Sequence, residues 1–392
     1  MNTRPILDSD AGPYALSVSF NADYSCFSVA LESGYHIYSS SNGEAKLIRE
    51  VDGGIGCAEI LGTTEYIALV GGGKQPKFPQ NKVRAEDSDW IHVATDTYEV
   101  QIYNDRTAKV TTALEFKTPV QRVRITRTHL IVVLLNTISI YKMKIPPSKV
   151  KEYLTVSNPF GLCALGNGVV VFPGRSPGQL NLFHFESEQI SIVNAHSAPL
   201  RAVAVSNNGD MVATASEKGT LIRVWSYPSC TKVAEFRRGV DEAAVFSLAF
   251  SPNGSILAVT SDKSTLHLFD IAATTLQAKP DPTKHKWGSL SMAGPLLPRQ
   301  FSDTYSFTSA KFEMGDEPLG WGPHTKSVTF NAGIPGVPGG RPTKGLIGWL
   351  DDQTILVIGA GQDARWEKFV LGVDQNGKRI VYREGWRHYL DL

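Results

Sequence analysis

The sequence predicts an all-β chain folded as a seven-bladed β-propeller, one closed domain over residues 1–392. Three observations carry the prediction: a segment that repeats at a fixed offset, looser copies of the same unit elsewhere, and short alternating strands separated by Gly/Asn turns. "VSNNGDMVATASEKGTLIRVW" (205–225) and "FSPNGSILAVTSDKSTLHLFD" (250–270) superimpose without gaps at an offset of 45 residues. The overlay pairs Ser206 with Ser251, Gly209 with Gly254, Ser216 with Ser261, Lys218 with Lys263 and Thr220 with Thr265. A period of that length, built from strands and tight turns, is the signature of four-stranded propeller blades.

The blades follow in order. "LSVSFNADYSCFSVALESGYHIYSS" supplies blade 1, "GCAEIL…YIALVGGG…EVQIYND" blade 2, "QRVRITRTHLIVVLLNTISIYKMK" blade 3 and "GLCALGNGVVVFPGRSPGQLNLFHF" blade 4. The two clear repeats are blades 5 and 6. Residues 345–386, "GLIGWLDDQTILVIGAGQDARWEKFVLGVDQNGKRIVYREGW", hold four more strands, so C-terminal strands alone are expected to close blade 7. Two insertions interrupt the rhythm, at 71–97 in blade 2 and 272–306 in blade 6, and a Gly/Pro-rich stretch at 330–345 leads into blade 7 as a loop.

A net charge of +1 with 20% charged residues gives no global basic field, so nucleic acid is not an expected partner and any anion site must be local. The cysteines Cys26, Cys57, Cys163 and Cys230 show no CxxC pair and read as reduced thiols of a cytosolic protein. The N-terminus lacks an apolar signal core, and the longest aliphatic run, "LIVVLL" at 130–135, is too short to span a bilayer. A soluble chain with at most peripheral membrane contact is expected.

Local charge is conspicuous in "EFRRGVD", where Arg237 and Arg238 end the outermost strand of blade 5. Successive strand side chains point to opposite faces, so the two guanidinium groups must diverge, one back toward blade 5 and one forward toward blade 6. The repeat supplies Ser216, Lys218, Thr220 and Arg223 on one side and Thr260, Ser261, Lys263, Thr265 and His267 on the other. Arginine grips phosphate bidentately while hydroxyl and imidazole groups serve remaining oxygens, so the set suits a phosphorylated polyol. The plain alternatives are a solvated edge that discourages sheet pairing, structural histidines bonded across blades, and Ser/Thr chosen for strand or turn propensity.

Phe236-Arg237-Arg238-Gly239 resembles the motif of the PROPPIN family, WD40-like seven-bladed propellers that bind phosphoinositides in autophagy and endosomal traffic. The resemblance spans nearly the whole chain, through "SFNADYSCFSVAL", "NPFGLCAL…VVVFPG", "ATASEKGTLIRVW" and "SPNGSILAVTSDKSTLHLF"; "VVVFPGR" and "NPFGL" look closer to the shorter, Hsv-like branch. It implies two headgroup sites, one with Arg237, His196, Ser216, Thr220 and Arg223, the other with Arg238, Thr260, Ser261, Thr265 and His267. The implied ligands are phosphatidylinositol 3-phosphate and phosphatidylinositol 3,5-bisphosphate. The implied location is cytoplasmic, peripheral on preautophagosomal, endosomal or vacuolar membranes. Blades 1 to 3 would hold a rod-shaped lipid-transfer protein of autophagy, with Asn21 and Asp23 as the residues to test, on a propeller expected to be monomeric. Asp262 and its equivalent Glu217 stand beside the pockets, and must point away or pair with Lys263 or Lys218.

The blade 6 insertion has its own chemistry. "KHKWGSLSMAGPLLPRQF" sets Lys284 and Lys286 beside Trp287, followed by Leu290, Met292, Leu296, Leu297 and Phe301, with no acid until Asp303. Basic groups facing anionic headgroups and apolar groups entering the acyl boundary make an interfacial anchor, and the family's corresponding loop contacts membrane.

Other motifs fail. "GGGKQPK" lacks the spacing and the Ser/Thr of a phosphate-binding loop, and neither HExxH nor GxSxG occurs. No catalysis, cofactor or metal is expected. Two alternatives remain: a WD40-type scaffold binding acidic peptides, and a propeller hydrolase, which would need carboxylates converging near the central channel.

Overall fold

A computed structural model describes residues 13–78, 98–144, 146–272, 304–315, 333–334 and 336–391. Its strands form seven blades of four antiparallel strands each, consecutive in the chain except in blade 6, where one short strand intervenes. Blade 1 is β1 (Ala15–Phe20), β2 (Cys26–Leu31), β3 (Gly34–Ser39) and β4 (Ala45–Glu50); blade 2 is β5 (Ile55–Ile60), β6 (Tyr66–Gly71), β7 (Tyr98–Asn104) and β8 (Lys109–Phe116). Blade 3 is β9 (Val120–Ile125), β10 (His129–Leu134), β11 (Thr137–Lys142) and β12 (Ser148–Leu154); blade 4 is β13 (Ala164–Gly166), β14 (Val169–Pro173), β15 (Gln179–His184) and β16 (Ile190–Asn194). Blade 5 is β17 (Leu200–Val205), β18 (Met211–Ser216), β19 (Leu221–Ser226) and β20 (Lys232–Arg237); blade 6 is β21 (Val245–Phe250), β22 (Ile256–Ser261), β23 (Thr265–Asp270) and, after the short β24 (Thr304–Tyr305), β25 (Thr308–Lys311). Blade 7 is β26 (Leu346–Trp349), β27 (Thr354–Ile358), β28 (Arg365–Val373) and β29 (Arg379–His388).

The second strands of the blades, "HLIVVL" in β10 and "ILAVTS" in β22, are buried at every position because both faces meet another blade. Outer strands such as β4 and β12 alternate between half-buried and exposed positions because one edge faces solvent. The core is correspondingly divided. Seven clusters of buried side chains each join two neighbouring blades, from Ile55 and Tyr35 between blades 1 and 2 to Trp366 and Phe27 between blades 7 and 1.

The residues that align the repeat turn out to be turn chemistry. The hydroxyls of Ser206 and Ser251 accept from the amides of Met211 at 2.9 Å and Ile256 at 3.0 Å, and Gly209 and Gly254 take φ of +79° and +74°.

Blade 7 is closed by four C-terminal strands, as the spacing predicts. Blade 1 abuts it through reciprocal hydrogen bonds between Ala15 and Gly361 at 3.2 and 2.8 Å, and through Tyr389, whose ring packs on Phe27 and Tyr38. The blade 6 insertion departs from a plain loop at its end. Thr304 and Tyr305 pair in parallel with Phe236 and Arg237, giving blade 5 a fifth strand. The stretch before blade 7 is also ordered where described: Ile334 and Val337 pack on Leu16 of blade 1, and Gly339 N donates to Pro159 O at 2.7 Å. Among the described residues no helix is long and apolar enough to cross a membrane.

Candidate functional site

Strand parity assigns each candidate side chain to a gap between blades. Ala234 and Phe236 of β20 belong to the blade 5–6 cluster, so Glu235 and Arg237 face blade 4. Ile222 and Val224 likewise put Arg223 on the blade 4 side, and Ala213 and Ala215 do the same for Thr214 and Ser216. Arg238 lies one residue beyond β20 and turns the other way, its amide still donating to Thr220 O at 2.9 Å. The two arginines therefore diverge into the gaps on either side of blade 5.

In the blade 4–5 gap, Arg237 is half-buried at the last position of β20, opposite Leu221. Arg223 donates through Nε to Glu235 at 2.7 Å and through a terminal nitrogen to Ala195 O at 2.6 Å. His196 Nε2 lies 3.0 Å from Thr214 Oγ1, which also accepts from Trp225 Nε1 at 3.1 Å and donates to Arg223 O at 3.3 Å. With its own proton committed, the threonine oxygen must accept from the imidazole, so the ring proton sits on Nε2. Burial, then the Arg223 charge, pushes His196 down to about 4. The neutral ring thus keeps Nδ1 as an acceptor, suited to an inositol hydroxyl better than to a phosphate oxygen. Ser216 is buried, its carbonyl accepting from Gly219 N at 2.9 Å, and Thr220 is half-buried in the turn that follows, its carbonyl taking the Arg238 amide.

In the blade 5–6 gap, Arg238 is 8% exposed. Its Nε donates to Gly219 O at 2.8 Å and a terminal nitrogen donates to Asp241 O. Burial pulls the guanidinium down from its ordinary value, and the carboxylates of Asp262 and Asp241 oppose that shift. Gly219 is required here: at φ +61°, an added Cβ would lie 1.8 Å from Ala243 O in the connection that carries Asp241. Ser261 is fully buried, and Thr265 Oγ1 donates to Lys263 O at 2.9 Å. His267 stacks on Phe269 and is pushed down to about 4 by burial, then by Arg238. Its Nδ1 lies 3.1 Å from Ser306 Oγ.

Thr260 does not join this group. Leu257 and Val259 of β22 face blade 5 whereas Ile256 and Ala258 face blade 7, so Thr260 faces blade 7 and Ser261 blade 5. The Thr260 hydroxyl is fully buried and donates to Gly345 O at 2.5 Å. Grouping it with Ser261 overlooked the strand's two-residue period.

Asp262 and Glu217 pair with neither Lys263 nor Lys218 among the described residues. Both instead support the charge of Arg201, which burial pulls down to about 10 and whose guanidinium lies 3.5 Å over the Phe160 ring. Glu235, Arg201 and Ser306 are neighbours of the candidate residues that the sequence did not bring forward. Glu235 alone had a local signal, since it shares a strand face with Arg237 two positions away.

Asn21, 4% exposed, is woven into the β1–β2 turn, donating to Gly62 O at 3.1 Å and Ser25 Oγ at 3.0 Å and accepting from Cys26 N at 3.0 Å. Asp23 is exposed and accepts from Ser25 N at 3.1 Å and Ser25 Oγ at 2.7 Å; burial raises its pKa, but these bonds outweigh that and hold it below the ordinary carboxylate value. Lys284, Lys286, Trp287, Leu290, Met292, Leu296, Leu297 and Phe301 lie outside the described residues. Among the innermost strands, Glu59 is bound by Arg124 at 2.7 Å and by the Ser19 hydroxyl at 2.5 Å, a neutralised carboxylate.

Against this geometry stand the comparisons with known proteins. The PROPPIN family model matches residues 84–314. An SVP1-like protein 2 of Emericella nidulans is 47% identical, covering 84% of this chain and 99% of the relative. The chain belongs to the PROPPIN family. The SVP1-like protein 2 of Saccharomyces cerevisiae is 35% identical to this PROPPIN over 94% of the chain and 89% of the relative. The solved structure of Kluyveromyces lactis Hsv2 superposes with a TM-score of 0.71 at 22% identity, covering 96% of this chain and 100% of that one, which shows the fold. A complex of KlAtg21 with the coiled coil of AgAtg16 superposes with a TM-score of 0.65 at 17% identity, over 96% of this chain and 99% of that one. Membership makes the protein a phosphoinositide-binding, autophagy-related propeller of a non-enzymatic family.

Proposed function

We propose that this PROPPIN is a non-catalytic effector that reads phosphatidylinositol 3-phosphate and phosphatidylinositol 3,5-bisphosphate through two pockets and brings a partner protein to autophagic or endosomal membranes. The first pocket comprises His196, Ser216, Thr220, Arg223 and Arg237; the second comprises Arg238, Ser261, Thr265 and His267. The observation that carries the reading is the divergence of adjacent arginines into gaps on both sides of blade 5, each furnished with hydroxyls and one imidazole. Among the described residues no carboxylate lies within ion-pair distance of Arg238, so its charge is held by carbonyls and remains uncompensated at close range.

Calorimetry with soluble inositol 1,3-bisphosphate, run beside liposome flotation, tests it. Two headgroups per chain are expected, with flotation only on liposomes carrying the 3-phosphorylated lipids. Changing Trp287, Leu296 and Leu297 to Asp abolishes flotation and leaves soluble binding intact, because each buried large apolar side chain contributes roughly 1.5 to 3 kcal/mol. Flotation independent of the phosphoinositide would favour a protein-binding scaffold. For the partner, a rod-shaped lipid-transfer protein of autophagy held on blades 1 to 3, Asp23→Ala is the test: it weakens capture and spares flotation. The bound coiled coil in the Atg21 complex supports an elongated partner. Asn21→Ala serves as a stability control, because its side chain completes the turn.

A further inference from the structure

The chain leaving the blade 6 insertion does not return directly to blade 6. Thr304 and Tyr305 first pair with Phe236 and Arg237 at the rim of blade 5. Ser306 then sets its hydroxyl 3.1 Å from His267 Nδ1, and Phe307 donates its amide to Leu268 O at 3.0 Å. Arg379 of blade 7 holds the Phe307 ring from above, 4.2 Å from its centroid. Residues 304–307 therefore strap blade 5 to blade 6 beside the gap that contains Arg238 and His267.

The chemistry of a phosphate ligand gives the Ser306 contact a purpose. Phosphate oxygens accept hydrogen bonds, so a neutral imidazole serves them only through an N–H, and it has one. Which nitrogen carries that proton is set by the bond made at the other. We propose that Ser306 is a positioning residue of the blade 5–6 pocket: its hydroxyl donates to His267 Nδ1, placing the ring proton on Nε2 as a donor to the headgroup. This role rests on the phosphoinositide reading above. The contrast with His196 is chemical, since there the Nε2 proton is spent on Thr214, whereas here the bond at Nδ1 leaves Nε2–H for a ligand.

Long-range 1H–15N spectra of the full chain report the tautomer, with His267 assigned among the nine histidines by His267→Gln. The native protein and Ser306→Thr are expected to show the Nε2–H form, and Ser306→Ala a shift toward the Nδ1–H form. Calorimetry with inositol 1,3-bisphosphate on the same proteins is expected to show second-site affinity falling roughly 3- to 10-fold in Ser306→Ala, as for loss of one neutral hydrogen bond, with Ser306→Thr restoring it and the first site unchanged. An unchanged His267 spectrum, an unchanged second-site affinity in Ser306→Ala, or a loss that threonine does not restore overturns the assignment. Native protein that binds no headgroup overturns the phosphoinositide reading itself and this role with it, so the two failures are distinguishable.

Discussion

The gaps on either side of blade 5 begin from the same repeat and end as different sites. The blade 4–5 gap contains its own counter-charge: Glu235 binds Arg223, and both are 25% exposed. The blade 5–6 gap holds Arg238 with carbonyl oxygens and keeps Asp262 beyond ion-pair distance, its Oδ1 buried without a partner. A site with an internal ion pair must break it to use that arginine on a ligand, while a site held by carbonyls offers its charge undivided. The first gap is therefore expected to be the weaker and more salt-sensitive, the second the tighter and the more important for stability.

The largest effect should come from the arginines themselves. Arg237→Ala and Arg238→Ala each remove one soluble site, and because two linked pockets raise avidity roughly 10²- to 10⁴-fold, either change should nearly abolish flotation. Only Arg238→Ala should also lower the urea midpoint, by a loss of about 1 to 3 kcal/mol, because it leaves the buried carbonyl of Gly219 without its donor and frees the Asp241 carbonyl at the gap's edge. Equal stability of the two variants would erase the contrast.

Thr260→Val sharpens the boundary of the second gap. The Gly345 carbonyl loses its donor, so stability should drop by about 1 to 3 kcal/mol, while calorimetry still finds both headgroup sites. Loss of the second site would return Thr260 to the pocket.

Acidity should affect both gaps through their histidines. His196 and His267 are each pushed down to about 4 by burial, from an ordinary value of 6.5. Between those limits the unfolded chain binds protons that the folded chain does not, so stability falls as pH drops from 6.5 toward 4 and is flat above. Melting curves across that window should show a smaller decline in His196→Asn or His267→Asn than in the native protein. Headgroup stoichiometry should not change between pH 6.5 and 8.

The smallest effect probes the internal ion pair. Glu235→Gln releases Arg223, and first-site affinity for the headgroup should rise by a factor of about 2 to 5, the scale of a partly exposed salt bridge. Second-site affinity should stay constant in the same titration. A fall in first-site affinity would mean that Glu235 orients Arg223 toward the ligand.

What depends on neighbours along the chain was legible in the residues. Ser206 and Ser251 act through amides five residues away, Gly209 and Gly254 through their own φ, and the divergence of Arg237 and Arg238 follows from the reversal of side-chain direction at each residue. The same parity, applied to β22, would have turned Thr260 toward blade 7, so that error lay in the reading and not in the information available. Tertiary structure alone decided the rest. Glu217 and Asp262 lend their charge to Arg201 of the innermost strand of blade 5, an influence between separate strands that the sequence does not display. Ser306 reaches His267 across 39 residues, and Tyr305 pairs with Arg237 only because the end of an insertion folds back onto a neighbouring blade. Such contacts have no period to read. They depend on where closure of the ring brings separate blades, and that position is set by packing of the clusters between blades.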